Sequence, residues 1–396
     1  MKVLFVIDGL GTGGAERSLA ELQPGLERAG FRSIIVCLRD RIEGVQSQVL
    51  ADGADVRILG GSTISQLRQL RRILRIEKPD LIHTTIFAAN VIGRLASIGS
   101  PTVVLSSLVN TPYAAVRLED PDVRRVSLAA VRAVDVFTAR RLTDHFHAIS
   151  HAVGDWAVRE MRLDPSRITV IERGRDPERL GDPGSDRRAM VRRSLGLMDD
   201  DDVVLAIGRQ EFQKGHRYLL EAAAALRSRY PRLVVLIAGR KGASSPELED
   251  LSERSGLGDV VRFLGHREDV PDLLAASDVF AFPSLYEGLG CAVIEAMALG
   301  LPIVASDIPA IREVVEDGRN AVLVSPGSSA TIASALDGLL SDRSRRRAYG
   351  ARGRTIFAER FTLQRSTSRM IALYERLLGD GSPQPSIGSP SGVMGR

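Results

Sequence analysis

The sequence predicts an α/β protein made of two parallel-sheet domains. Three observations lead there. Short β-branched runs alternate with amphipathic helical stretches along most of the chain. A strand, glycine-loop, helix unit over residues 3–29 recurs over 203–228. The length of 396 residues also suits two domains, at roughly 100–200 residues each.

In order, Val3–Ile7 predicts a strand, a glycine-rich loop follows, and Ala15–Ala29 predicts a helix. Strands are expected at Ser33–Leu38, Leu81–His83, Thr102–Ser106, His147–Ile149 and Ile168–Glu172. Gly, Pro, Asp and Arg break the pattern from Asp176 to Asp202, an interdomain region with one short helix near Arg187–Leu195. The plan then restarts with strand Val203–Ile207, loop Gly208–Gly215, helix Arg217–Ser228 and strand Leu233–Ala238. Further strands are expected near Val260–Phe263, Val279–Phe282, Pro302–Ala305 and Ala321–Val324, and a last helix over Phe361–Leu378. Residues 379–396 form a Gly/Ser/Pro tail too polar to order itself. Two such sheets side by side set the carboxyl ends of their strands across a cleft, where ligands bind.

Composition excludes several classes. Hydrophobic residues at 44%, charged at 26% and aromatic at 5% are those of a globular chain, neither disordered nor collagen-like. Apolar runs are strand-sized, well short of the roughly 20 residues of a membrane span. Asp8 interrupts the N-terminal run, so no secretory signal is expected, and Cys37 and Cys291 cannot build a disulfide framework. Cytoplasm is the expected compartment. Residues 1–180 carry 25 basic against 21 acidic residues and the remainder 28 against 28, too small an excess for a nucleic-acid binder.

Three constellations carry chemistry. Gly9, Gly11, Gly13 and Gly14 follow the first strand and offer backbone N–H groups at a helix start. They match a dinucleotide fingerprint as a string, with Asp40 as nominal ribose ligand, but Ala15-Glu16 after two glycines makes an open loop. Gly208 ends a strand, which places Arg209 at the ligand edge, and Lys214 opens the next helix; two cations and a helix tip at one place suit a diphosphate. Finally Glu287-Gly288-Leu289-Gly290 leads into helix Ala292–Leu299, with Glu295 one turn in. The glycines let a ligand approach the backbone, and the two carboxylates suit sugar hydroxyls at each end of a diphosphate.

Arg209…Lys214 and Glu287-x₇-Glu295, after Gly13-Gly14-Ala15-Glu16, resemble the retaining nucleotide-sugar glycosyltransferases of family 4, with the GT-B fold. The resemblance runs from residue 1 to about 378. It implies two facing Rossmann-like domains with a cleft between them: 1–178 on the acceptor side, 179–360 binding the nucleotide sugar, and 361–378 crossing back. By that likeness Arg209 and Lys214 hold the diphosphate and stabilise the leaving nucleotide, and Glu295 takes the ribose. Glu287, Leu289 and Gly290 hold the donor sugar, and Gly13 and Gly14 close on it. The likeness implies a UDP- or GDP-hexose as donor, a hydroxyl on a glycan, a lipid-linked or a small-metabolite acceptor, retention, and no metal or cofactor. Alternatives are a GT-B epimerase or phosphorylase, or a non-catalytic nucleotide-sugar-binding subunit.

The sequence departs from the pattern twice. Val109 stands where many relatives carry a His, leaving His83 as a substitute or a packed residue and Asn110 as a possible contact. Arg173-Gly174 replaces the commoner Asn-Gly, either adding cations to the cleft or shaping the linker. Asp199–Asp202 precedes a strand, so its Asp-x-Asp reads as a turn, and Ser150 caps a helix that carries His151 away from His145 and His147. Along helix 66–76, Leu67, Leu70 and Leu74 share one face and Arg68, Arg71, Arg72 and Arg75 another. That pattern fits either a core stripe under a solvated face or a peripheral contact with anionic lipid on the inner face of the membrane.

Overall fold

The computed structural model describes residues 1–41 and 43–379. In the first half, strands β1 (Lys2–Ile7), β2 (Arg32–Cys37), β3 (Asp55–Ile58), β4 (Leu81–Thr85), β5 (Val103–Leu108), β6 (His145–Ala148) and β7 (Ile168–Val170) form one sheet. Its helices are α1 (Gly14–Arg28), α2 (Gln46–Ala51), α3 (Thr63–Glu77), α4 (Phe87–Ala96), α5 (Arg125–Leu142) and α6 (His151–Met161). After α7 (Pro177–Leu180) and α8 (Ser185–Ser194), a second sheet collects β8 (Asp202–Ile207), β9 (Leu233–Ala238), β10 (Val261–Gly265), β11 (Val279–Phe282), β12 (Ile303–Ser306) and β13 (Ala321–Val324). Helices α9 (His216–Leu226), α10 (Ser245–Arg254), α11 (Val270–Ala276), α12 (Cys291–Ala298), α13 (Pro309–Arg312), α14 (Ser329–Leu340), α15 (Arg343–Arg360) and α16 (Leu363–Leu378) complete the described chain.

All strand pairs within the two sheets are parallel. The central strands are buried on both faces, as the six residues Leu233–Ala238 are, which is why they read as continuous apolar runs. Strand order β3-β2-β1-β4-β5-β6-β7 reverses beside β1, and β10-β9-β8-β11-β12-β13 reverses beside β8. A reversal leaves a crevice at the carboxyl ends of the strands, because the helices on either side run to opposite faces. Both crevices carry the glycine loops that the sequence singles out.

The expected α/β architecture is present, with local differences. Strand β3 and helix α2 went unread, since Asp55–Ile58 is only half buried and alternates poorly. The interdomain stretch holds two helices instead of one. The last helix starts at Leu363, because Phe361 is 1% exposed in the core and Thr362 accepts a capping bond from the Arg365 amide. Helix α15 buries Tyr349, Ile356 and Phe357 on a sparse face that Gly350 and Gly353 interrupt, and a Cβ on Gly350 would sit 2.0 Å from the Gly300 carbonyl oxygen. The expected tail from residue 380 onward lies outside the described residues.

The chain crosses between the sheets twice, and the crossings hold each other. The Arg175 amide donates to the Phe361 carbonyl at 2.8 Å, and the Leu363 amide to the Arg175 carbonyl at 2.8 Å. Gly174 is required there, since a Cβ would meet the Thr362 carbonyl oxygen at 2.2 Å. Helix α16 then packs on α1, burying Met370, Leu373 and Tyr374 with Leu19, Leu26 and Phe31.

Candidate functional site

The site assembles from loops that leave β1, β8 and β11. At the first, Gly13 caps α1 with no side-chain hydrogen bond, and Glu16 folds back so closely that a Cβ on Gly13 would meet its Oε2 at 2.3 Å. Gly9 has a packing reason instead: a Cβ would meet the Arg39 carbonyl oxygen at 2.9 Å.

At the second sheet, the Lys214 side chain lies over Gly208, where a Cβ would meet its Cδ at 2.9 Å. Its ammonium reaches Glu287 Oε1 at 2.5 Å and stands 5.3 Å from the centre of the Phe282 ring. Arg209 is exposed at the end of β8. The two loops are tied together, as Gln213 Nε2 donates to the Tyr286 carbonyl and the Leu285 amide to the Gln213 carbonyl, each at 2.8 Å.

The Glu287–Gly290 loop faces the first sheet at very short range. Ser150 Oγ donates to the Gly288 carbonyl at 2.6 Å, and a Cβ on Gly288 would lie 2.2 Å from the Val109 carbonyl oxygen. So the position where a His is expected contributes its backbone to interdomain contact. Leu289 is 2% exposed, and Gly290 caps α12 at φ 87°, a conformation that glycine adopts at little cost. On the same side of the cleft Glu313 accepts the His151 and Ala152 amides at the start of α6.

Glu295 lies on α12 as expected, but its carboxylate is already engaged. Its Oε1 accepts from Arg175 Nε at 2.6 Å. Arg175, 3% exposed, also donates to Ser18 Oγ at 3.2 Å and lies 3.5 Å from Glu21 Oε2, while Arg179 pairs with Glu21 Oε1 at 2.6 Å. Burial opposes the Arg175 charge, yet Cys291, Glu295 and Glu21 together hold its pKa above the usual arginine value. Burial likewise pushes the Glu21 carboxyl up, against the pull of Arg175 and Arg179. This network joins α1, the linker and α12, and sequence reasoning missed it. The available signal was Arg173 and Arg175, in a segment that the sequence leaves open between adding cations to the cleft and shaping the linker.

His83 is a packed histidine. Its Nδ1 bonds Tyr374 Oη at 2.6 Å and its Nε2 bonds Ser107 Oγ at 2.7 Å. Ser107 Oγ continues to His147 Nδ1 at 3.0 Å, and His147 Nε2 to the Ile171 carbonyl at 2.9 Å. Burial, then His147 and Arg173, depress the His83 pKa well below the ordinary imidazole value, and burial takes His147 down to about 4. Asn110 uses its Oδ1 on the Thr111 amide at 2.8 Å, a local turn. His145 bonds Thr169 Oγ1, and Asp201 accepts the Met198 amide at the amino end of β8. Among the described residues no group of three or more His, Cys, Asp or Glu could hold a metal ion, and no helix is long and apolar enough to cross a membrane.

Beside the first crevice lies a cavity of about 560 Å³ at the carboxyl ends of β1, β2 and β3. Asp8, Arg39, Thr63 and Gln66 line its polar side, and Phe87 and Ile92 its apolar side.

The chain matches known proteins throughout. Residues 12–179 match the family described as Glycosyltransferase Family 4, and residues 188–356 that of Glycosyl transferases group 1. A D-inositol 3-phosphate glycosyltransferase of Salinispora arenicola is 32% identical over 327 residues, covering 78% of this chain and 71% of the relative. An alpha-D-kanosaminyltransferase of Streptomyces kanamyceticus is 29% identical over 273 residues, 62% of this chain and 70% of the relative. Among solved structures, Anabaena HepE in complex with UDP-glucose superposes with a TM-score of 0.84 at 23% identity, covering 95% of this chain and 99% of that one.

Proposed function

The chain belongs to the family 4 type of glycosyltransferases with the GT-B fold, and from that premise we propose that it moves a hexose from a UDP- or GDP-sugar to an acceptor hydroxyl, with retention and without a metal. The observation that carries the reading is the Lys214–Glu287 pair, which bridges the loops leaving β8 and β11 at the second strand reversal. There Arg209, Lys214 and the start of α12 surround the place for a diphosphate. Breaking the anomeric bond leaves the electron pair on a phosphate oxygen, so fixed cations beside that oxygen lower the barrier. The acceptor oxygen bonds to the anomeric carbon on the face the diphosphate leaves, and its proton passes to the departing phosphate.

Glu287 and the Leu289–Gly290 backbone hold the donor sugar, Glu295 the ribose, and Gly13 and Gly14 close over the donor from the first domain. Lys214 engages Glu287 and Arg175 engages Glu295, so a donor that uses these carboxylates competes with those contacts. The 560 Å³ cavity holds the acceptor, and His83 lies outside the reacting groups because both its nitrogens are satisfied. A small acceptor of the inositol 3-phosphate kind is favoured by likeness to the Salinispora D-inositol 3-phosphate glycosyltransferase, and UDP-glucose as donor by likeness to the HepE complex.

Residues 1–178 are the acceptor-side domain, 179–360 the donor domain and 361–378 the returning helix. Peripheral contact with the inner face of the membrane runs through helix 66–76. Its Arg68, Arg72 and Arg75 are exposed, with Ile64 and Ile76 at 62% and 65%, while Leu70 and Leu74 are buried. The test of function is thermal shift with UDP- and GDP-sugars. One or more should raise the melting temperature by mass action, and Lys214→Ala and Glu295→Ala should each shrink that rise. Unchanged nucleotide binding in both variants refutes the site.

A further inference from the structure

We propose that Arg173 is a third cation for the donor's leaving diphosphate, bonding its β-phosphoryl group where the two domains meet. The proposal rests on the nucleotide-sugar reading above and adds a ligand outside the Arg209, Lys214, Glu287 and Glu295 set.

Position comes first. A Cβ on Gly14 would stand 3.8 Å from Arg173 Nη1 and 3.9 Å from Cys291 Sγ. Gly14 is the first residue of α1 and Cys291 the first of α12, so the guanidinium lies in the seam between the two helix starts. Neither start has a side-chain cap. The segment that carries Arg173 cannot drift, because the Ile171 amide donates to the Ala148 carbonyl at 2.9 Å and Gly174 is wedged against Thr362.

Charge comes second. Its neighbours at the crossings all have carboxylates: Arg175 holds Glu295, Arg179 holds Glu21, and Arg369 holds Glu172. Arg173 forms no such pair among the described residues. Burial and then Arg175 work against its charged form while Cys291 and Glu16 favour it, and burial depresses the pKa of both His83 and His147. A guanidinium and two helix N-termini present positive potential, with Glu16 folded back toward the start of α1, so the seam favours a further anion. The seam opens directly after the Glu287–Gly290 loop, which makes the donor the source of that anion. The planar fork of arginine suits two phosphoryl oxygens at once. Arg173 stays protonated throughout; it takes no part in bond making and counters the charge gained by the β-phosphate as the anomeric bond breaks.

The test titrates UDP, UMP and uridine, with the guanosine series in parallel, into the wild type, Arg173→Met, Arg173→Lys and Lys214→Ala by calorimetry. Arg173→Met should bind the diphosphate about tenfold or more weakly, with mono-phosphate and nucleoside affinities kept within about twofold, and Arg173→Lys should recover part of the loss. Unchanged diphosphate affinity in Arg173→Met, with the loss confined to Lys214→Ala, overturns the proposal and leaves the nucleotide-sugar reading standing. An equal loss for all three ligands shows general damage and also overturns it. A wild type that binds neither diphosphate overturns both readings.

Discussion

Replacing Arg175 by Met would take away a side chain that ties α1, the linker and α12 together. Arg175 meets Glu295 at 2.6 Å, Ser18 at 3.2 Å and Glu21 at 3.5 Å, and the side chains of Arg175, Glu21 and Glu295 are only 3%, 7% and 9% exposed. Removing one partner of a buried pair typically costs about 3–5 kcal/mol, because the other charge is left in a poor solvent. Arg179 remains on Glu21 Oε1, and Arg17 faces the same carboxylates, so the lower end applies. At roughly 2–4 °C per kcal/mol, about 3 kcal/mol lowers the melting temperature by about 6–12 °C near neutral pH. The pH dependence gives the sharper test. Burial already raises the Glu21 pKa in the folded state, and Arg175 pulls it down. A carboxyl whose folded pKa lies above its unfolded value is favourable below the unfolded pKa, and that stability is lost as pH rises through the folded one. Without Arg175 the folded pKa climbs further, so the deficit of the variant is greatest near neutrality and shrinks as acid protonates Glu21. Calorimetric melting near pH 7.5 and near pH 5 reads this directly. An equal deficit at both pH values, or one under about 2 °C at neutrality, refutes the assignment of a buried charge network.

Gly288→Ala should separate domain contact from nucleotide binding. Its Cβ would lie 2.2 Å from the Val109 carbonyl oxygen, forcing the donor loop off the first sheet, so turnover should fall about tenfold or more while nucleotide affinity changes little. Full turnover in that variant refutes the close approach as a catalytic requirement. For the membrane contact, co-sedimentation with anionic vesicles should exceed that with zwitterionic ones. Changing Arg68, Arg72 and Arg75 to Gln should abolish the excess, at about 1 kcal/mol per basic residue. Equal binding to both vesicle types, or none, refutes it.

Much of the molecule was legible because its signals are local. A parallel strand buried on both faces must be an apolar run, so Leu233–Ala238 and Val279–Phe282 were readable to the residue, as was the partly buried edge strand Ala321–Val324 from its four apolar residues. The glycines at 13, 14, 288 and 290 and the cations at 209 and 214 mark loops at the carboxyl edges of the sheets because each follows such a run. Strand Asp55–Ile58 and helix Arg343–Arg360 were not legible, one being half buried and the other packed through glycine. Periodicity records which face is covered and is silent where coverage is partial or made by backbone.

The sequence by itself determined two parallel sheets, the loops at their carboxyl edges, and the residue types that could face a sugar nucleotide. The tertiary structure alone decided whom those residues meet. Glu295 finds Arg175 across 120 positions, and His83 finds Tyr374 across 291. Arg173, which could as well have been a spacer, stands between two helix starts from opposite halves of the chain. A side chain's type states which partner it can satisfy, but its choice of partner depends on which surfaces close over it. That closure is set by the double crossing near Gly174 and Thr362, a long-range backbone pairing with no local pattern to read.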